Sequence, residues 1–219
     1  FYRKYLFNIS NWSSAETKLE KGTKKKDFDQ ESVLERFKFQ LENSNVKVNN
    51  CLKPDFSWAC INVDQIVNKF SGKQLILILP FCSPQLSHKK WPHYNDLIKI
   101  IKSKHQNFDV VIAPSTNEIN ESKTIEAITI INRDQGLNIM ELAGLIKKSS
   151  FIIGNDTGPA HIAAHLGKKG LVLFGYHTTA KKVSIETENL KVLTVDDLKD
   201  LSAEKVYLTI KDDLNSIIN

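Results

Sequence analysis

Arginine is almost missing from this chain: of 30 basic residues among 219, only Arg3, Arg36 and Arg133 are arginines. The formal charge of +5 therefore rests on lysine. Together with the many Ile and Asn residues this looks partly like biased coding composition, so charge alone gives no case for a nucleic-acid partner, although it suits an anionic ligand or membrane surface. The Lys24-Lys25-Lys26 run has few aromatic residues interleaved with it, as base stacking would need, and reads as a solvated loop spanning Lys18 to Lys26. Cysteine is also scarce. Cys51, Cys60 and Cys82 are odd in number and show no Cys-x-x-Cys spacing, which excludes a disulfide framework and a zinc ribbon and fits a reduced, cytoplasmic setting. No apolar run approaches the ~20 residues of a membrane-spanning helix. The first ten residues lack the apolar core of a secretion signal, and the chain opens on Phe1, so it reads as an excerpt or a processed product.

What is present divides into two stretches. Residues 1–72 carry one amphipathic helix at 31–43, where Val33, Leu34, Phe37 and Leu41 recur at helical spacing, and a weaker one from Val63 to Phe70 that ends at Ser71-Gly72. From Gln74 onward short apolar strands alternate with amphipathic helices. Strands are expected at Leu75–Leu79, Phe108–Ala113, Ile128–Ile131, Phe151–Ile153, Leu171–Phe174 and Val192–Val195, with helices near 93–104, 138–148, 158–166 and 203–217. Such alternation implies an α/β fold, a Rossmann-like parallel sheet with helices on both faces, over residues 73–219. In open sheets of this kind ligands bind at the carboxyl ends of the strands. Those ends hold nearly all the small polar clusters and, in or just beyond the loops, every histidine except His105. No Asp-x-Asp triplet lies among them.

The most informative stretch is Gly154-Asn155-Asp156-Thr157-Gly158-Pro159-Ala160-His161, which follows Phe151-Ile152-Ile153 and precedes Ile162-Ala163-Ala164-His165. It reads as buried strand, tight turn and helix start. Asp156 or Thr157 would serve as N-cap, and Pro159 suits the first helical position. The N–H groups of Gly158, Ala160 and His161 would then face a ligand together with the positive end of the helix dipole, which makes an anion site. Gly158 allows close approach to the backbone, and His161 adds a donor. Residue by residue the stretch remains open between a capped helix with a satisfied histidine and a phosphate grip. His161 and His165 stand one turn apart like a zinc pair, but Ile162 occupies the place of a zinc protease's glutamate. Asp-Thr-Gly also marks aspartic proteases, whose chains are rich in β structure and carry no Pro-x-His helix after it.

Three pieces in order resemble glycosyltransferase family nine, the ADP-heptose:lipopolysaccharide heptosyltransferases: Pro80 to Pro92 ending in Lys89-Lys90-Trp91-Pro92, the Ser150 to Gly167 block, and Leu171-Val172-Leu173-Phe174-Gly175. The likeness covers roughly residues 73–180. It implies the carboxy-terminal, donor-binding domain of a two-domain GT-B enzyme, with residues 1–72 as a remnant of the amino-terminal acceptor domain and linker. The resemblance further implies that Asp156, Thr157, Gly158 and His161 hold the diphosphate and sugar, that Lys89 neutralises phosphate charge, and that Ser83 adds a hydroxyl. Glu118 falls where the family meets the ribose, and Leu137 where it meets adenine. No metal and no cofactor beyond the nucleotide-sugar donor is expected. A lipid-linked saccharide acceptor and transient contact with the inner face of the inner membrane are implied as partners.

Two departures stand out. After Gly175 the family continues Pro-Thr-Asp-Pro, whereas this chain reads Tyr176-His177-Thr178-Thr179, so His177 becomes a candidate contact to phosphate or acceptor. The amino-terminal domain, with the expected aspartate base, has no visible counterpart, so the base is expected outside this chain. A non-catalytic nucleotide-binding module is the alternative. The apolar stripe Tyr207, Ile210, Leu214, Ile217 of the last helix would pack either on that absent domain or on its own.

Overall fold

The structure is a computed structural model, and it describes residue 19, residues 21–67 and residues 73–218. Lys18, and positions 68–72, where the weaker helix and its Ser71-Gly72 end were expected, lie outside the described residues. The chain forms two compact units, residues 1–54 with 180–184 and residues 55–179 with 185–219.

The first unit contains α1 (Lys25–Phe28), α2 (Val33–Glu42) and a helical turn at Ala180–Val183. The lysine-rich run is thus partly helical, with Lys24, Lys25 and Lys26 all exposed. Ser32 caps α2 by accepting the Glu35 N–H at 3.2 Å. The Phe28 and Phe39 rings meet at 5.2 Å, and the Leu34 N–H donates to Ser184 Oγ at 3.4 Å. The Asp-x-Asp triplet of the chain, Asp27-Phe28-Asp29, lies here on α1 and its cap.

The second unit is a six-stranded, wholly parallel sheet in the order β3-β2-β1-β4-β5-β6. In chain order it runs α3 (Asp64–Val67), β1 (Gln74–Leu79), α4 (Tyr94–Lys104), β2 (Phe108–Ile112), α5 (Ile119–Ser122), β3 (Ile128–Thr129), α6 (Ile139–Lys148), β4 (Phe151–Asn155), α7 (Gly158–His165), β5 (Gly170–Phe174), β6 (Leu190–Thr194) and α8 (Ala203–Ile218). The central strands are apolar runs because helices cover both faces. On one face Ile76, Ile78, Val110, Ile112, Ile153 and Leu173 pack with Leu97, Ile98 and Ile101 of α4 and Val206, Ile210 and Leu214 of α8. By strand alternation Leu77, Val111, Ile152 and Val172, also fully buried or nearly so, point to the opposite face. The last helix therefore packs on its own unit, against α4, with His105 Nε2 3.1 Å from the Tyr207 hydroxyl.

Residues 55–67 also belong to this unit. The Ile61 N–H donates to Met140 O at 3.5 Å, Cys60 Sγ lies 3.6 Å from Ala143 O, and Lys148 pairs with Asp64, so the segment lies along α6. Asn138 starts α6 with a reciprocal cap: its side chain accepts the N–H groups of Met140 and Glu141 while Glu141 accepts that of Asn138. Among the described residues no helix is long and apolar enough to cross a membrane.

Candidate functional site

Strands β1 and β4 lie side by side, with Leu79 opposite Gly154. The strands that follow β1 spread to one side and those that follow β4 to the other, so the loops part at this point and leave a crevice at the carboxyl ends. Asn155, fully buried, ties the crevice together. Its Oδ1 accepts the Trp91 N–H at 3.2 Å and the Tyr94 hydroxyl at 2.9 Å, and its amide donates to Pro80 O at 3.0 Å. The Trp91 indole N–H in turn donates to Leu201 O at 2.8 Å. The loop carrying Lys89 is thereby held at both ends against the turn after β4.

Asp156 is the electrostatic centre. Its side chain is 3% exposed. Lys89 Nζ lies 2.6 Å from Oδ2, His177 Nε2 3.2 Å from Oδ2, and His161 Nε2 3.5 Å from Oδ1. Burial by itself would raise the Asp156 carboxyl, but the contacts from His161, Lys89 and His177 outweigh it and hold the group well below the usual carboxylate range. An ionised carboxylate only accepts, so His177 must carry its proton on Nε2. Burial pushes the His177 imidazole down despite the pull of Asp156, with Lys89 and His88 adding to the depression, so the ring is neutral near pH 7. Its Nδ1 is buried and without a partner, a small cost for a lone pair compared with an orphaned N–H. The arrangement leaves Lys89 and His161 the more exposed members, 18% and 32%.

Beside this cluster lies a cavity of about 270 Å³. Ser83, Glu118, Leu137, Thr157 and Gly158 all line it, with Phe81, Cys82, Pro114 and Leu142 completing the apolar wall. Glu118 Oε2 accepts the Ser115 N–H at 2.9 Å and the Ser115 hydroxyl at 2.7 Å, which fixes the carboxylate at the lip. Leu137 reaches the same wall because Gly136 lies directly on the loop after β2. A Cβ there would come within 2.6 Å of Thr116 N and 2.7 Å of Pro114 O, so only glycine permits the approach. At Gly158 the opposite holds: a Cβ would meet nothing within 4 Å, and the backbone stands open to the cavity. The Ser83 hydroxyl is turned to Gln85 Oε1 at 2.6 Å.

The structure corrects three details of the helix start. Thr157 occupies the N-cap position, but neither its side chain nor that of Asp156 makes a cap bond. Pro159 is the second helical residue, behind Gly158. The N–H groups of Ala160 and His161, expected to face a ligand, instead close on Thr157 O at 3.0 and 3.3 Å. The electropositive end thus rests on the Gly158 end of the helix, Lys89 and His161. His161 Nε2 is turned to Asp156, and no cluster of three or more His, Cys, Asp or Glu side chains suited to a metal occurs among the described residues.

The structure brings Lys89, Asp156, His161 and His177 into one cluster and places Ser83, Glu118, Leu137, Thr157 and Gly158 around one cavity. The sequence reading missed Asn155, whose buried amide was hidden in a turn where Asn is commonplace, and Ser115, which orients Glu118. The signal for Ser115 was present: a Ser three residues before a Glu is a capping box.

The crevice thus lies at the switch point of a parallel sheet, where open α/β sheets bind their ligands. The profile of glycosyltransferase family 9 (heptosyltransferase) matches residues 12–209, and the chain belongs to that family. It is 32% identical over 119 residues to the lipopolysaccharide core heptosyltransferase OpsX of Haemophilus influenzae, covering 52% of this chain and 33% of that protein. Among solved structures, the E. coli heptosyltransferase WaaC with ADP superposes with a TM-score of 0.62 at 15% identity, over 84% of this chain and 57% of the other. The family 9 glycosyltransferase of Veillonella parvula gives 0.65 at 15% identity, over 91% and 63%. The fold is thus that of the GT-B heptosyltransferases, and the chain spans a third of the curated relative and 57% and 63% of these solved ones.

Proposed function

We propose that residues 55–179 and 185–219 bind the ADP-linked donor of an inverting heptosyltransferase acting on a lipopolysaccharide-core-type acceptor. The observation that carries this reading is the Lys89–Asp156 pair at 2.6 Å beside a cavity shared by Glu118, Leu137 and Gly158. In the proposed complex the adenine lies against Leu137, the ribose hydroxyls donate to Glu118, and the diphosphate lies at Gly158 between Lys89 and His161. Asp156 carries the same charge as the diphosphate and does not bind it; it holds Lys89 and His161 in place.

The reaction follows from that placement. An acceptor hydroxyl attacks the anomeric carbon, its proton passes to a base outside these residues, and the bond from that carbon to the diphosphate oxygen breaks with its electron pair. Charge grows on the departing ADP. Donors fixed beforehand around that oxygen lower the barrier because they need not reorganise. The base comes from a second Rossmann-like domain that faces the same strand ends and holds the acceptor, and the acceptor's lipid places the reaction at the inner face of the inner membrane.

Calorimetric titration of the chain with ADP and with ADP-heptose tests the reading. Binding of both, weakened by His161→Ala, is expected. Absence of binding to the unaltered chain, or affinity indifferent to His161→Ala, refutes it.

A further inference from the structure

The loop after β5 departs from the family's Pro-Thr-Asp-Pro pattern, and it places an aromatic side chain where none is needed for folding. Tyr176 is 75% exposed. Its ring is nonetheless not isolated. It lies 6.0 Å from the His88 ring at an interplanar angle of 32°. His88 meets His177 edge-on at 5.3 Å, and His177 stacks on Phe174 at 6.0 Å and 9°. Phe174 is fully buried in the sheet. A chain of ring contacts thus runs from the core to the surface and ends on two exposed rings, those of His88 and Tyr176.

We propose that Tyr176 and His88 form a shelf on which the glycosyl ring of the donor stacks. The proposal rests on the nucleotide-sugar reading above and adds the subsite for the sugar. The order of loops along the sheet supplies the direction. Glu118 and Leu137 lie on the β2 and β3 side, Thr157 and Gly158 follow β4, and Tyr176 follows β5. A nucleotide with its base at Leu137 and its phosphates at Gly158 therefore sends whatever is attached to the last phosphate toward the β5 loop.

The chemistry of the shelf selects a sugar over an anion. An aromatic face carries the negative side of the ring quadrupole and repels phosphate, whereas it attracts the weakly positive C–H groups of a pyranose face. The same contact discriminates among sugars, because an axial hydroxyl projecting from that face lifts the ring off the shelf. Since Tyr176 is exposed, its removal leaves the core untouched.

The test compares ADP with ADP-heptose by calorimetry on the full chain, in the unaltered protein, Tyr176→Ala and Tyr176→Phe. Tyr176→Ala is expected to leave ADP affinity unchanged and to lower ADP-heptose affinity by about two- to tenfold, the range of a single aromatic contact. Tyr176→Phe should keep the unaltered behaviour. Equal ADP-heptose affinity in the unaltered and Tyr176→Ala proteins overturns the shelf alone, as does an equal loss for ADP and ADP-heptose. Failure of the unaltered chain to bind ADP overturns the nucleotide reading and the shelf with it.

Discussion

Replacing Asp156 by alanine removes the acceptor on which Lys89, His161 and His177 converge, and the three donors do not suffer equally. Lys89 and His161 are 18% and 32% exposed and can turn to water. His177 is 7% exposed, wedged between Phe174 and His88, and its Nε2–H is left with no acceptor. Breaking a fully buried ion pair costs about 3–5 kcal/mol, and stranding one neutral buried donor about 1–3 kcal/mol. With two of three partners able to rehydrate, Asp156→Ala should destabilise the sheet unit by about 2–4 kcal/mol. For a unit of this size that lowers the melting temperature by about 4–16 °C.

A second substitution isolates the cause. His177→Phe keeps a flat ring against Phe174 and deletes the donor, so the double variant should recover about 1–2 kcal/mol relative to Asp156→Ala. The gap between unaltered and Asp156→Ala proteins also has a defined pH course. The folded carboxyl titrates below its unfolded value, so its contribution is complete above about pH 4–5 and is lost only as pH falls through the folded value. Urea melts between pH 6.5 and 8, where the histidines facing the carboxylate stay neutral in both proteins, should show a constant gap. A loss smaller than about 0.5 kcal/mol, or additive effects of the two substitutions within that error, would show that the carboxylate does not hold these donors.

Lys89→Met deletes the cation nearest Asp156, and ADP affinity should fall about 10- to 150-fold, the worth of one charge-assisted bond; a change below twofold by calorimetry would remove Lys89 from the phosphate site. Gly158→Ala places a methyl in open space at the cavity, so thermal stability should hold within about 1 kcal/mol or improve while ADP affinity drops, and parallel loss of both would contradict the open approach. Burial lowers the imidazoles of His105, His165 and His177, so the unfolded state binds more protons between their folded values and the unfolded value near 6.5; stability should therefore decline as pH falls below about 6.5, and a melting temperature that rises from pH 7.5 to 5.5 would contradict that sign.

The sheet was legible because four of its strands are buried on both faces and so read as short apolar runs between polar turns, and α7 announced itself by Pro159. The stripe on α8 was equally plain, but an amphipathic pattern defines a face and not the surface that covers it, and only the fold shows Ile210 and Leu214 meeting α4. The same limit applied at Asp156. Locally an Asp two residues before a helix reads as a cap, a role worth about 1 kcal/mol. Lys89, 67 residues earlier, and His177, 21 residues later, compete for the same oxygens. A lysine at 2.6 Å from a buried carboxylate outweighs a cap bond, so the side chain turns away from the helix and the first turn closes on Thr157 O instead. That exchange leaves the backbone at Gly158 open beside a positioned cation, which a capped helix would not have done.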